Sequence, residues 1–322
     1  MNTKPTTIAG LALAAVLAVC QTFAYAQGGV TVSTQNPRQV ALMRWYGANQ
    51  TTQFQVRNSP YAFVFDGSNA WVANYANGTV SKLRANDGTE LGVYLPGGTP
   101  SALAYDGVNV WSANLNSGNV TKLLASTGAI VGTYAAGTYP YGLAFDGANI
   151  WVTNLYSQTV TKMNANTGAI VATYPVGLYP GAITFDGTNI WVVNHGDQTV
   201  TKLLASTGAT LGTYSAGNYP EQLAFDGTYI WITNYSNTVT KMFASTGTIA
   251  GTYAVGTTPN GVTYDGTNIW VANTGSDTVT KLQASTGTTL ATYAVGSEPY
   301  AIGFDGANVW VSYQLGVTVS KL

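Results

Sequence analysis

The sequence predicts an all-β fold, a seven-bladed β-propeller of four-stranded antiparallel blades, and three observations carry that expectation. Aspartate-glycine recurs at Asp66, Asp106, Asp146, Asp186, Asp226, Asp265 and Asp305. Each lies five residues before a tryptophan (Trp71, Trp111, Trp151, Trp191, Trp231, Trp270, Trp310), at a step of forty residues that drops once to thirty-nine. Self-similarity at such a period marks a repeat architecture. Each copy then holds four short runs of alternating apolar residues joined by Gly- and Asn-containing turns, the pattern of one blade. No apolar pattern of period 3.6 accompanies it, which argues against a helical solenoid.

In chain order, residues 1–26 read as a secretory signal peptide. Lys4 gives a weakly positive start, Ile8 to Val19 is a short apolar run, and Ala24-Tyr25-Ala26 is an A-x-A cleavage signal. An anchor on Cys20 is the competing reading, but Val19 stands where a small residue is required. Residues 27–38 form a polar leader, and the propeller is expected over 39–322. Asn49 to Phe54 lies at the distance before Pro60 that the fourth strand occupies before Pro100, Pro140 or Pro180. The last copy stops at Ser320-Lys321-Leu322, the end of its third strand, so Asn49 to Phe54 is expected to supply the missing outer strand of blade seven. Val40 to Tyr46 either extends that strand or covers a blade edge.

In the third copy the strands are expected at Tyr141 to Phe145 (A), Asn149 to Asn154 (B), Thr159 to Met163 (C) and Ile170 to Tyr174 (D). Asp146-Gly147 supplies the A–B hairpin turn. The larger side chains of strand A, such as Leu143 and Phe145, alternate with Gly or Ala. Neighbouring residues of a strand point to opposite faces, so a bulky face of one blade can nest on the small face of the next.

Composition excludes several functions. The only cysteine, Cys20, leaves with the signal, so the mature chain has no disulfide or thiolate chemistry despite its destination. Charged residues are 8% and the formal net charge is −1. Without a basic stripe, nucleic-acid binding is not expected. Nothing after the signal is apolar for long enough to span a membrane, and a secreted or periplasmic monomer is expected.

The x-W-V-x-N strand that follows F-D-G on this period resembles the repeats of bacterial secreted propellers of the YVTN and NHL type. The resemblance covers Pro60 to Leu322. The wider group includes streptogramin lyase-like and gluconolactonase-like propellers. It implies seven blades and a ligand site on one face, without deciding between enzyme and binder. Streptogramin lyases imply a histidine, acids and a magnesium ion, with strand B ending in an acid. Here strand B ends in Asn74, Asn114, Asn154, Asn194, Asn234, Asn273 and Tyr313, a departure from that pattern; the asparagines are expected to close the B–C turns through nearby backbone.

Subtracting the repeat isolates the candidate site. Of thirteen acids, seven belong to Asp-Gly; of twelve basic residues, seven are the strand-C lysines Lys82, Lys122, Lys162, Lys202, Lys241, Lys281 and Lys321. These sets share one end of the barrel and read as structural Asp–Lys pairs or turn-capping aspartates, ahead of a cation-binding ring. If they are exposed pairs, each contributes ~0–1 kcal/mol and Lys162→Met should change stability little. Asp197, Glu221, Asp277 and Glu298 fall in B–C turns or D–A connections at the opposite end, with the only histidine, His195. Solvation of a low-charge surface accounts for such acids, while a general base or a cation site is the functional alternative. The same end carries Tyr61, Tyr139, Tyr141, Tyr179, Tyr219 and Tyr300, with Tyr75, Tyr156 and Tyr235 nearby. Tyrosine suits stacking on sugars or gripping a peptide; Tyr139, Tyr179 and Tyr219 equally suit packing on the adjacent proline. The candidate ligand-binding residues are Tyr141, Tyr219, Tyr300, His195, Asp197, Glu221, Asp277 and Glu298. No catalytic motif, dedicated metal motif or cofactor fingerprint accompanies them. The function expected is non-catalytic binding of a glycan, peptide or protein. A metal-dependent lyase or lactonase around His195, Asp197 and Glu221 is the alternative, and a structural envelope or matrix component a third.

Overall fold

A computed structural model describes residues 53–322. The signal, the leader and Val40 to Tyr46 lie outside them, as do residues 49–52 of the expected closing strand. Seven four-stranded antiparallel sheets follow one another along the chain. The third is Pro140–Phe145, Asn149–Asn154, Thr159–Asn164 and Ile170–Pro175, so each expected strand is met to within a residue. The innermost strands touch in order around the ring, and the last, Pro299–Phe304, returns to the first, Pro60–Phe65. The seventh sheet is completed from the front of the chain. Strand β1 (Gln53–Gln55) pairs with β28 (Thr318–Lys321), with Phe54 opposite Val319. Among the described residues the only helical elements are single 3₁₀ turns at Leu115–Ser117 and Thr274–Ser276. No helix there is long and apolar enough to cross a membrane.

The core lies between blades. Trp111, Ala104 and Ala113 of blade two pack with Leu143, Ile150, Val152 and Met163 of blade three, and equivalent clusters recur around the ring. This is the nesting of small face on bulky face that the alternation in strand A requires. Each tryptophan then needs a partner for its buried indole N–H, and the aspartate of Asp-Gly supplies it. In blade three, Trp151 Nε1 donates to Asp146 Oδ2 at 2.7 Å, while Oδ1 accepts from Ala148 N at 2.9 Å and Asn149 N at 2.6 Å. The aspartates are therefore turn caps.

The lysines are not their partners, which corrects the expected Asp–Lys pairing. The only ion pairs among the described residues are Arg57–Glu90, Arg84–Asp87 and a His195–Glu221 approach. Strand register sets Lys162 opposite Trp151, so its ammonium lies 5.0 Å from the indole centroid and donates to Ala205 O of the next blade at 2.7 Å. Lys82, Lys122, Lys202 and Lys241 likewise reach Ala125, Ala165, Ala244 and Ala284. Lys321 closes the ring onto Ala85 O at 2.8 Å. Lys281 lies over Trp270, but blade seven has no C–D turn for it to reach, because its outer strand comes from β1. Lys162 is only 6% exposed, so Lys162→Met leaves a buried carbonyl without its donor. The expected cost in chemical denaturation is about 1–3 kcal/mol, larger than the exposed-pair value. A loss below ~0.5 kcal/mol would show that the latch is a surface contact.

The strand-B asparagines also differ from expectation. They are fully buried and donate chiefly to strand C rather than to turn backbone: Asn154 Nδ2 reaches Thr161 Oγ1 at 2.9 Å, and Asn74 Nδ2 reaches Ser81 Oγ at 2.9 Å.

Candidate functional site

One repeat position escapes the regularity of the rest. The residue after the proline that opens strand A is Tyr61, Ser101, Tyr141, Gly181, Glu221, Asn260 and Tyr300 in successive blades. Strand A is innermost, so this position rims the central channel at its B–C end. A cavity of about 170 Å³ on the axis is lined by strand A of all seven blades, including Tyr61, Ser101, Tyr141, Gln222 and Asn260. The residue after strand B (Tyr75, Leu115, Leu155, His195, Tyr235, Thr274, Gln314) belongs to the adjoining turns.

Three of the rim tyrosines share their hydroxyls. Tyr300 donates to Tyr61 at 2.6 Å, and the Tyr61 and Tyr141 hydroxyls are 2.8 Å apart. The Tyr61 ring lies 4.5 Å from Tyr300 and 5.0 Å from Tyr75. Blade two contributes only Ser101, small and tied to Pro140 O at 3.0 Å, so Tyr61 and Tyr141 meet across it. Burial raises the phenol pKa of Tyr61, Tyr141 and Tyr300, and they keep their protons at any ordinary pH.

Blade four contributes Gly181, and a Cβ there would overlap His195 Nε2. The glycine thus makes room for the imidazole to lean over the strand towards Tyr141, whose ring centroid is 6.2 Å away in an edge-on arrangement. His195 Nδ1 lies 2.6 Å from Pro220 O. A carbonyl only accepts, so Nδ1 carries the proton and Nε2 keeps its lone pair. Glu221 Oε1 is 3.7 Å from Nδ1, too far for a hydrogen bond. Burial pushes the Glu221 carboxyl up to about 8. Burial also lowers the His195 pKa, partly offset by the Pro220 bond. An ion pair would have opposed both shifts, but Nδ1 is committed to Pro220 and desolvation decides, so both groups are uncharged near neutrality. Asn260, 1% exposed, donates through Nδ2 to Tyr235 OH at 3.1 Å, and its Oδ1 has no partner. Burial, reinforced by nearby Glu221, pushes the Tyr235 phenol up to about 12.

The structure therefore brings Tyr141, Tyr300, His195 and Glu221 together, and leaves the other four candidates in local roles. Asp197 Oδ2 accepts from Leu178 N at 2.7 Å. At the same repeat position Asn77, Ser157 and Ser276 brace their own connections through Asn58 N, Thr138 N and Thr257 N, so Asp197 is turn architecture. Asp277 accepts from Glu298 N at 2.8 Å, and both adopt left-handed backbone, with φ of 53° and 54°. The two acid pairs occupy different places in the repeat: Glu221 follows the proline that opens strand A whereas Glu298 precedes it, and Ser276 rather than Asp277 shares the column of Asp197. Tyr219 precedes its proline with φ of 53° and is 63% exposed; that backbone turns its side chain to solvent, away from the rim. Tyr139 and Tyr179 share the conformation. Subtraction by residue type found the acids and tyrosines but missed Gly181 and Asn260, which comparison down the repeat column reveals. Among the described residues, no three His, Cys, Asp or Glu side chains are grouped so that they could hold a metal ion; Asp197 is bound to Leu178 N, while of these groups His195 and Glu221 approach only each other.

No family model matches the chain, and no curated protein matches it. In three dimensions it is similar to a chain of hydrazine synthase from Kuenenia stuttgartiensis, with a TM-score of 0.72 and 16% identity, covering 92% of this chain and 98% of that one. At that identity the likeness speaks to the fold alone, a β-propeller.

Proposed function

We propose that this is an exported, non-catalytic binding propeller of the YVTN/NHL-repeat type, freed of residues 1–26, which takes a glycan or peptide at the channel mouth. One observation carries the reading. The rim position holds five residue types in seven blades while its surroundings repeat, and four of its occupants, Tyr61, Ser101, Tyr141 and Asn260, line an axial cavity with aromatic and polar groups. A position shaped only by packing would repeat as Trp and Asp do. Aromatic rings with fixed hydroxyls suit ligands that are apolar on one face and polar at the edge.

The test is a glycan and peptide array with the mature chain, followed by Tyr61→Phe, Tyr141→Phe and Glu221→Gln beside Tyr219→Ala and Asp197→Asn. The rim variants are expected to weaken binding by ~1–3 kcal/mol, and the other two to bind like the parent. The reverse order would move the site to the outer loops. A lyase or lactonase is the second reading, favoured by a protonated carboxyl beside a neutral imidazole, the states of a general acid and base. Turnover of an array hit, lost in His195→Ala with binding retained, would establish it.

A further inference from the structure

Among the described residues the mouth is rich in acceptors and lacks a cation. Asn260 Oδ1 is buried and unpartnered, His195 Nε2 keeps its lone pair, and the Glu221 carboxyl makes no hydrogen bond among the described residues beyond its 3.7 Å approach to the imidazole. The strand-C lysines are committed at the other end of the barrel to Ala carbonyls and indole faces, and Arg57 and Arg84 pair with Glu90 and Asp87. A single atom bearing several N–H donors and a positive charge would answer these acceptors together. A primary ammonium has three such donors and is drawn to tyrosine rings, of which Tyr141 lines the cavity with only T-shaped aromatic neighbours.

We propose that the mouth receives a primary ammonium group on an unbranched stem, carried by a small amine or a peptide lysine, with Glu221 as counter-charge and Asn260 Oδ1 as one acceptor. This rests on the mouth being the binding site. A cavity of about 170 Å³ admits a short aliphatic stem and no bulky branch. The ligand has to ionise Glu221, whose carboxyl is kept protonated by burial up to about pH 8. Binding at pH 7 therefore releases close to one proton, and affinity rises about tenfold per unit from pH 5 to 7, levelling above the carboxyl's own value. The other groups facing Glu221 do not mimic this: His195 is already neutral over the upper part of that range, and Tyr61, Tyr141, Tyr235 and Tyr300 stay protonated throughout.

Calorimetric titration with n-butylammonium chloride tests the proposal. Butan-1-ol serves as the neutral isostere, tetramethylammonium chloride as a cation without N–H, and acetyl-Gly-Lys-Gly-amide as the peptide. Butylammonium or the peptide is expected to bind at millimolar concentration or below, and the other two at least tenfold more weakly. The better of the first two identifies the source. Glu221→Gln is expected to lose at least tenfold in affinity and all proton release, with its melting temperature at pH 5 unchanged. Equal binding of butan-1-ol, no binding of either amine, or full affinity in Glu221→Gln would overturn the proposal. A lysine-free ligand that needs Tyr61 and Tyr141 would do so while leaving the binding reading intact.

Discussion

Deletion of residues 39–54 is expected to unfold or aggregate the protein, and Phe54→Ala alone to cost about 3–5 kcal/mol, the range for a buried aromatic removed from a core. Phe54 is 6% exposed, packs tilted against Trp310 with ring centroids 5.4 Å apart, and lies under the Lys321 ammonium. It also repeats a contact made all round the ring. The strand-D tyrosines Tyr94, Tyr134, Tyr174, Tyr214 and Tyr253 each sit against a glycine of the next blade's C–D turn, where a Cβ would collide with the ring. Phe54 does this to Gly88 of blade one, although β1 and blade seven's other strands lie at opposite ends of the sequence. Losing it removes both the outer strand of blade seven and the seam between first and last blades, and leaves β28 as an open edge. Melting and size-exclusion measurements decide the matter. A truncated chain that stays monomeric with the parent's melting temperature would show that the ring closes without β1.

Acid is expected to unfold the protein in one steep transition below pH 3.8, and Asp146→Ala to destabilise it by about 2–4 kcal/mol at neutral pH. Burial alone would raise the pKa of Asp146. Hydrogen bonds from Trp151 Nε1, Ala148 N, and the Asn149 side chain and backbone outweigh it and hold the carboxyl below its ordinary 3.8. Asp66, Asp106, Asp186, Asp265 and Asp305 are lowered through the same set of donors. The unfolded chain takes up protons first as pH falls. The stability these carboxylates contribute is therefore intact above 3.8 and is lost as pH passes through their lower folded values. Since the donors include the indoles, tryptophan fluorescence against pH reads the transition directly. Asp146→Asn should flatten the slope by removing one titrating group, and an unchanged slope would place the acid lability elsewhere.

The repeat made the fold legible in the sequence, blade by blade. A period near forty, Asp-Gly at one turn and alternation along strand A each follow from local backbone and side-chain requirements. The closing strand was readable from spacing alone, because the last copy ends one strand short. The site was half legible. His195 and Glu221 stood out because charge is scarce, and Tyr141 and Tyr300 because tyrosine is large. Asp197 and Tyr219 looked equivalent to them by position in a loop, and nothing local separates a loop carboxylate that braces an amide from one buried beside a histidine.

The sequence by itself determined seven nested blades, their strand boundaries and the end of the barrel on which variation collects. Those follow from contacts within a blade or between consecutive ones. Only the tertiary structure decided that Lys162 reaches Ala205 O rather than Asp146, that Gly181 vacates the space His195 fills, and that Tyr61, Tyr141 and Tyr300 share hydroxyls along the rim from blade seven through blade one to blade three. Tyr61 and Tyr300 are 239 residues apart. Their meeting depends on where seven packed blades bring the ring to closure, which no window of the chain contains.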